Sequence, residues 1–98
     1  MITTKQRAYL RGLANGENAI IQIGKGDLTE NIAKTISDAL EARELVKITI
    51  LESAPEAPAD YMKQLVELLK CEAVQTVGRK VVIYKASSDA DKRKIVLG

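Results

Sequence analysis

The sequence predicts a single α/β domain of order α-β-α-β-α-β-β, built on a four-stranded mixed sheet. Three observations carry that prediction. Apolar residues recur at helical spacing in three separate stretches. Short β-branched runs separate those stretches. The last two runs are neighbours joined through a glycine, the pattern of a hairpin. Strands separated by a helix tend to run parallel with right-handed crossovers, whereas a hairpin pair is antiparallel, so the sheet is mixed. A length of 98 residues suits one domain with a modest core.

Thr3 or Thr4 caps a first helix that reaches about Ala14, and Tyr9, Leu10, Leu13 and Ala14 form its inward stripe. Asn15-Gly16 ends it, because both residues tolerate positive φ. Ala19 to Ile23 reads as a short buried strand. Asp27 stands three residues before Glu30, which fits a capping box with Asp27 at the N-cap of the second helix. Leu28, Ile32, Ile36 and Leu40 then repeat every four residues, and the helix ends near Ala42 or Arg43.

Leu45 to Leu51 is the next strand, with Val46, Ile48 and Ile50 on one face and Lys47 and Thr49 on the other. Pro55 and Pro58 in "SAPEAPAD" cannot continue a ladder, so the chain breaks there. A third helix from about Pro58 to Lys70 presents Met62, Leu65, Val66 and Leu69. "AVQTV" and "VVIYK" are the hairpin strands, turning at Gly78. The second and third helices pack on one face of the sheet. The pattern leaves the placement of the first helix open, together with the face on which Tyr84 lies. Residues from about 86 to 98 form a basic tail, polar at its start, in which Ile95 to Leu97 has the makings of a short edge strand.

Several function classes drop out on composition. The chain has no histidine and one cysteine, Cys71, which excludes an internal disulfide, His-dependent triads, and His-ligated or four-cysteine zinc sites. Cys71 reads as a small, partly buried residue. No EF-hand spacing occurs, and neither a metal nor a cofactor is expected. No apolar run approaches the ~20 residues of a membrane span. The opening "MITTKQRAYLRG" lacks a secretory apolar segment, so a cytoplasmic protein is expected.

Net charge is only +2, but the charges are unevenly placed. Residues 1–26 carry Lys5, Arg7, Arg11 and Lys25 against the single carboxylate Glu17. Residues 27–72 hold five cations and ten anions, and residues 73–98 hold six cations and two anions. If the two basic ends meet in the fold, one face attracts a polyanion. A mixed, solvated surface is the alternative.

The stretch "IIQIGKGDLTENI" is where chemistry concentrates. Gly24 and Gly26 let the main chain approach a ligand closely, a helix start lies just beyond, and Lys25 adds a point charge. Together these suit a phosphate. The stretch is neither a Walker A loop nor a Rossmann fingerprint, since Thr29 stands where the third glycine belongs. A tight strand-to-helix connection needing glycine for geometry is the competing explanation. Arg7 and Arg11 share a helix face, Arg79 and Lys80 sit at the hairpin turn, and Lys47 projects from the sheet face opposite Val46. With three tyrosines, no Phe and no Trp, the chain lacks the paired aromatics of an RNP1 motif. Backbone and shape recognition with steep salt dependence is therefore expected of any nucleic-acid contact.

The segments "KQRAYLRGLA" at 5–14, "IIQIGKGDLTENI" at 20–32, "ALEARELVKITIL" at 39–51 and "VQTVGRKVVIYK" at 74–85 resemble, in order and spacing, the bacterial YhbY family, the single-domain form of the CRM domain. The resemblance covers nearly the whole chain. It implies a fold similar to the C-terminal domain of translation initiation factor 3. It also implies RNA binding, and association with ribosomal RNA in precursors of the large ribosomal subunit. The family's GxxG loop, reminiscent of the KH domain, is its RNA contact and falls here on Gly24, Lys25, Gly26 and Asp27. Its basic first helix corresponds to Lys5, Arg7 and Arg11. The chain departs from the family at the fourth loop position, usually glycine and here Asp27. The function expected is thus a non-catalytic RNA-binding protein without a small-molecule substrate or membrane partner. A protein-interaction module, or a small enzyme binding a phosphorylated metabolite at the glycine loop, are the alternatives.

Overall fold

The computed structural model describes residues 2–88 and residue 95. Its elements follow the expected order: α1 (Thr4–Ala14), β1 (Ile21–Ile23), α2 (Glu30–Arg43), β2 (Leu45–Ile50), α3 (Pro58–Leu69), β3 (Glu72–Val77) and β4 (Lys80–Tyr84). The strands form one mixed sheet in the order β1-β2-β4-β3. β1 runs parallel to β2, with Ile23 opposite Ile50, and β3 and β4 form the antiparallel hairpin. The hairpin turns back on itself so that β4 lies antiparallel against β2, with Val46 opposite Ile83 and Thr49 opposite Lys80. β2 and β3, joined through α3, therefore run in the same direction with β4 between them. Gly78, at φ 56°, supplies the left-handed residue that a two-residue hairpin turn demands.

Side-chain parity splits the core in two. Val46, Ile48 and Ile50 of β2 point to one face, with Ile23, Val81 and Ile83 beside them. α2 covers that face with Ile36 and Leu40, and α3 with Tyr61, Met62 and Leu65. Cys71 belongs to this cluster; its Sγ lies 3.5 Å from the carbonyl of Leu65, and burial pushes its thiol up to about 11. The residue is a packed thiol rather than a thiolate.

The other face settles where the first helix goes. Leu10 and Ala14 of α1 pack on Leu45, Val74, Val82 and Tyr84. α1 starts beside β3, where the Ile2 N–H donates to Glu72 Oε1 (2.9 Å), and finishes beside β2, where Lys47 Nζ donates to the Ala14 carbonyl (3.3 Å). It crosses the half of the sheet that holds Leu45, Glu72 and Tyr84. Tyr84 thus lies on the α1 side. The inward stripe is narrower than its spacing predicts. Leu10 and Ala14 are buried, but Tyr9 is 50% exposed and Leu13 is exposed too. A helix laid on only half a sheet finds cover for one row of side chains, not two.

Two further departures concern capping and the chain's end. The N-cap of α2 is Thr29, not Asp27: Thr29 Oγ1 accepts from the Ile32 N–H at 3.2 Å, and the helix starts at Glu30. Asp27 is engaged elsewhere, as described below. Glu44, the residue that ends α2 at φ 67°, is buried, and its carboxylate accepts from the N–H groups of Ser87 (2.9 Å) and Ile95 (3.0 Å). Glu41 accepts from the Ser88 hydroxyl at 2.6 Å. The start of the tail is therefore tied to the C-terminal end of α2. The strand expected over Ile95 to Leu97 lies outside the described residues except for Ile95, which is not in a strand. Among the described residues, no helix is long and apolar enough to cross a membrane.

Candidate nucleic-acid interface

The glycine turn is built by close packing from behind. Ile23 ends β1, and its carbonyl accepts the Leu51 N–H at 2.8 Å. This brings the chain after β2 directly against the next residue. A Cβ on Gly24 would fall 3.0 Å from Leu51 Cδ1 and 3.4 Å from Ser53 Oγ, so only glycine fits without displacement. The Asp27 N–H then closes the turn onto the Gly24 carbonyl at 2.9 Å. Lys25 and Gly26 form the exposed tip, and a Cβ on Gly26 would meet open space. The turn's left-handed residue is Asp27, at φ 64°, rather than either glycine. Aspartate tolerates that conformation better than most residues.

The Asp27 side chain points inward. Its Oδ1 accepts from the hydroxyl of Tyr61 at 2.5 Å and from the Leu28 N–H at 2.8 Å. The Tyr61 hydroxyl, followed by the Leu28 N–H, holds the Asp27 carboxyl below its ordinary range. Burial, reinforced by the bond to Asp27, pushes the Tyr61 phenol up to about 12. Sequence reasoning missed Tyr61 here, since nothing local to position 61 marks a partner 34 positions earlier. The tip of α2 is occupied as well: Thr29 takes the Ile32 N–H and Glu30 stands in the first turn. The Lys25–Gly26 tip therefore offers an anion exposed backbone beside a cation, while Thr29 and Glu30 partly occupy the helix end.

Three expected cations gather at this end of the sheet. Lys25 is on the tip. Arg79 follows the hairpin turn and spends two donors on the end of β2, Nε to the Ile50 carbonyl (2.6 Å) and Nη2 to the Leu51 carbonyl (2.7 Å). It clasps the same segment that backs Gly24. Lys80 pairs with Thr49 and shares strand parity with Val82 and Tyr84, so it lies on the α1 side of the sheet and is exposed.

The other four belong to α1 and its surroundings. Lys5 and Arg11 are exposed. Arg7 is half-buried and donates from Nε to the Ala73 carbonyl at 2.8 Å, which pins α1 to β3. Lys47 does not stand on open sheet: its ammonium lies under the end of α1, donating to the carbonyls of Ala14 (3.3 Å) and Glu17 (3.4 Å). A cation at a helix C-terminus suits the dipole, so Lys47 acts first as a clamp. Beyond α1, toward the glycine turn, the same sheet face carries Gln22, Thr49, Val77 and Lys80, none of them buried.

The fold therefore sorts the charges. α1 carries Lys5, Arg7 and Arg11 and no carboxylate, and Lys47 and Lys80 share its side of the sheet with Glu72, whose carboxylate accepts the Ile2 N–H. α2 and α3 carry Glu30, Asp38, Glu41, Asp60 and Glu67 against Lys34, Arg43 and Lys63 on the opposite side. Lys25 and Arg79 stand at the rim where the sheet ends.

Comparison with known proteins adds to this geometry. Residues 2–85 match the CRS1 / YhbY (CRM) domain family. The chain is 40% identical over 89 residues to the Bacillus subtilis (strain 168) protein named Probable RNA-binding protein YqeI, covering 91% of this chain and 93% of that one. It is 33% identical over 89 residues to a Haemophilus influenzae protein named RNA-binding protein, covering 91% and 90% respectively. The solution structure of the hypothetical protein SAV1595 from Staphylococcus aureus is similar with a TM-score of 0.70 at 40% identity, over 98% of this chain and 100% of that one.

Proposed function

This chain belongs to the CRS1 / YhbY (CRM) domain family, and we propose that it is a non-catalytic cytoplasmic protein that binds structured ribosomal RNA during assembly of the large subunit. The observation that supports this reading best is the sorting of charge. The α1 side and the glycine-turn rim present Lys5, Arg11, Lys25 and Lys80 to solvent, while the carboxylates of α2 and α3 lie behind the sheet. The phosphate backbone rests on the Lys25–Gly26 tip and on the α1 face. Arg7, Lys47 and Arg79 hold that surface together through carbonyl contacts and contribute their charge from beneath. Asp27 shapes the turn with its carboxylate directed away from the path.

Such an interface reads backbone and shape, so affinity should fall steeply with added salt. The test is a gel shift at several salt concentrations with fragments of large-subunit ribosomal RNA precursor and an unrelated structured RNA of equal length. Preferential binding to some precursor fragments at physiological salt supports the proposal. Equal affinity for every RNA, vanishing at physiological salt, contradicts the ribosomal assignment. Crosslinking the cell's own complexes and sequencing the attached RNA then names the segment.

A further inference from the structure

The fourth position of the turn raises a physical problem that the surrounding structure solves. A carboxylate on a phosphate-binding turn repels the ligand, and Asp27 sits one residue from the exposed Gly26. Yet Asp27 is only half-exposed, and its Oδ1 is held by the Tyr61 hydroxyl at 2.5 Å and the Leu28 N–H at 2.8 Å. Tyr61 is fully buried in the first turn of α3. The bond joins residues 34 positions apart, so it is a product of the tertiary fold rather than of local turn chemistry.

We propose that Tyr61 is a positioning residue for RNA binding: its hydroxyl retains the Asp27 carboxylate behind the turn, keeping negative charge off the phosphate path while Asp27 supplies the left-handed backbone. This inference rests on the proposed contact between RNA and the Lys25–Gly26 tip. Without the hydroxyl, Oδ1 keeps only the Leu28 N–H and otherwise faces the apolar edge of a buried ring, and a carboxylate that has lost one of its two donors to an apolar group gains by turning toward water. Water lies on the outer side of the turn, where Lys25 and Gly26 are exposed. The fixed bond also limits the turn's freedom, since Asp27 closes it through its own N–H to the Gly24 carbonyl.

The experiment is a double-mutant cycle read by RNA affinity, with Tyr61→Phe, Asp27→Asn and the pair together, and Lys25→Glu as reference. Asparagine keeps the acceptor for Tyr61, tolerates positive φ and removes the charge. In the natural background Tyr61→Phe should weaken binding about fivefold, the scale of one like-charge contact in water. In the Asp27→Asn background the same change should alter affinity by less than about twofold, because no charge remains to be released. Asp27→Asn alone, with Tyr61 in place, should bind at least as tightly as the natural chain. Circular dichroism confirms that each variant is folded, and Asp27→Asn carries the test should Tyr61→Phe fail to fold. An equal loss from Tyr61→Phe in both backgrounds assigns Tyr61 to turn shape alone and overturns the charge-retaining role. Weaker binding by folded Asp27→Asn overturns it too. A loss with Lys25→Glu but none with Tyr61→Phe overturns the inference and leaves the proposed function standing. No loss with Lys25→Glu removes the turn from the interface and overturns the inference together with the proposed Lys25–Gly26 contact, leaving the α1 face to be tested by Arg11→Glu.

Discussion

On one side of the sheet, α2 and α3 close over Ile23, Val46, Ile48, Ile50, Val81 and Ile83; on the other, α1 closes over Leu45, Val74, Val82 and Tyr84 and leaves the rest of the surface open. The first side holds the larger apolar cluster and the five carboxylates of α2 and α3. The second has a smaller cluster, and its helix carries only cations. The comparison teaches how a chain of this size divides its work. A small domain buries a modest fraction of its surface and needs one face committed to packing. The other face can then spend side chains on charge, provided a few of them also fasten the thin covering layer. Arg7, Lys47 and Arg79 do both, since each donates to a carbonyl at an element's edge and adds a positive charge to the same surface.

The division should break first at the core. Leu65→Ala, inside the larger cluster, should cost about 2–5 kcal/mol of stability in urea unfolding, without changing the RNA affinity of the folded fraction. Leu10→Ala should fall toward the lower end of that range, because the α1 cluster is smaller, and should also weaken RNA binding by disturbing the helix that carries Arg7 and Arg11. Charge reversal sharpens the same contrast. Arg11→Glu should weaken binding roughly tenfold and reduce the salt slope by about one unit, if one phosphate contact is lost. Glu67→Lys, on the opposite face, should not weaken it. Equal losses from the two reversals would erase the distinction between the faces.

A smaller effect comes from Tyr9. It is exposed while Tyr61 and Tyr84 are buried, so acrylamide should quench one of the three tyrosines, and bound RNA should protect it. Unprotected quenching at saturating RNA would move the interface off α1. The smallest effect is acid-dependent. The Asp27 carboxyl lies below its ordinary value of 3.8, so its stabilising contribution is complete above that pH and fades as pH falls through the lower folded value. The difference in Tm between the natural chain and Asp27→Asn should therefore shrink as pH drops from neutral through the acid range below the ordinary carboxylate value.

Much of this was readable beforehand, for reasons that particular residues make plain. β2 alternates Val46, Ile48, Ile50 against Lys47 and Thr49, and both faces came out as that parity demands. α2 repeats Ile32, Ile36 and Leu40 every fourth position over about two turns, enough to fix its existence and its face. Local pattern failed where distant partners decided. The capping-box spacing points to Asp27 as the N-cap, but the Asp27 carboxylate is engaged by Tyr61 and Thr29 caps the helix instead. Tyr9 fits an inward stripe, but α1 rests on a surface assembled from three strands that offers room for one row only. Glu44 carries no local sign of burial, yet it is buried, and the chain after β4 supplies it with N–H donors from Ser87 and Ile95. Among the candidate contacts, Lys47 was placed on the correct face, but the end of α1 that covers it had no signature at position 47.

The central claim is that RNA meets α1 and the glycine-turn rim and leaves α2 and α3 in solvent. The most direct measurement is a titration of the ¹⁵N-labelled protein with a fragment of large-subunit ribosomal RNA, read as amide chemical-shift changes residue by residue. The account predicts the largest changes at Lys5 to Arg11, Gly24 to Asp27 and Arg79 to Lys80, with Lys34, Asp38, Lys63 and Glu67 unmoved. Shifts concentrated on α2 and α3, with the Gly24 to Asp27 amides unchanged, would contradict it.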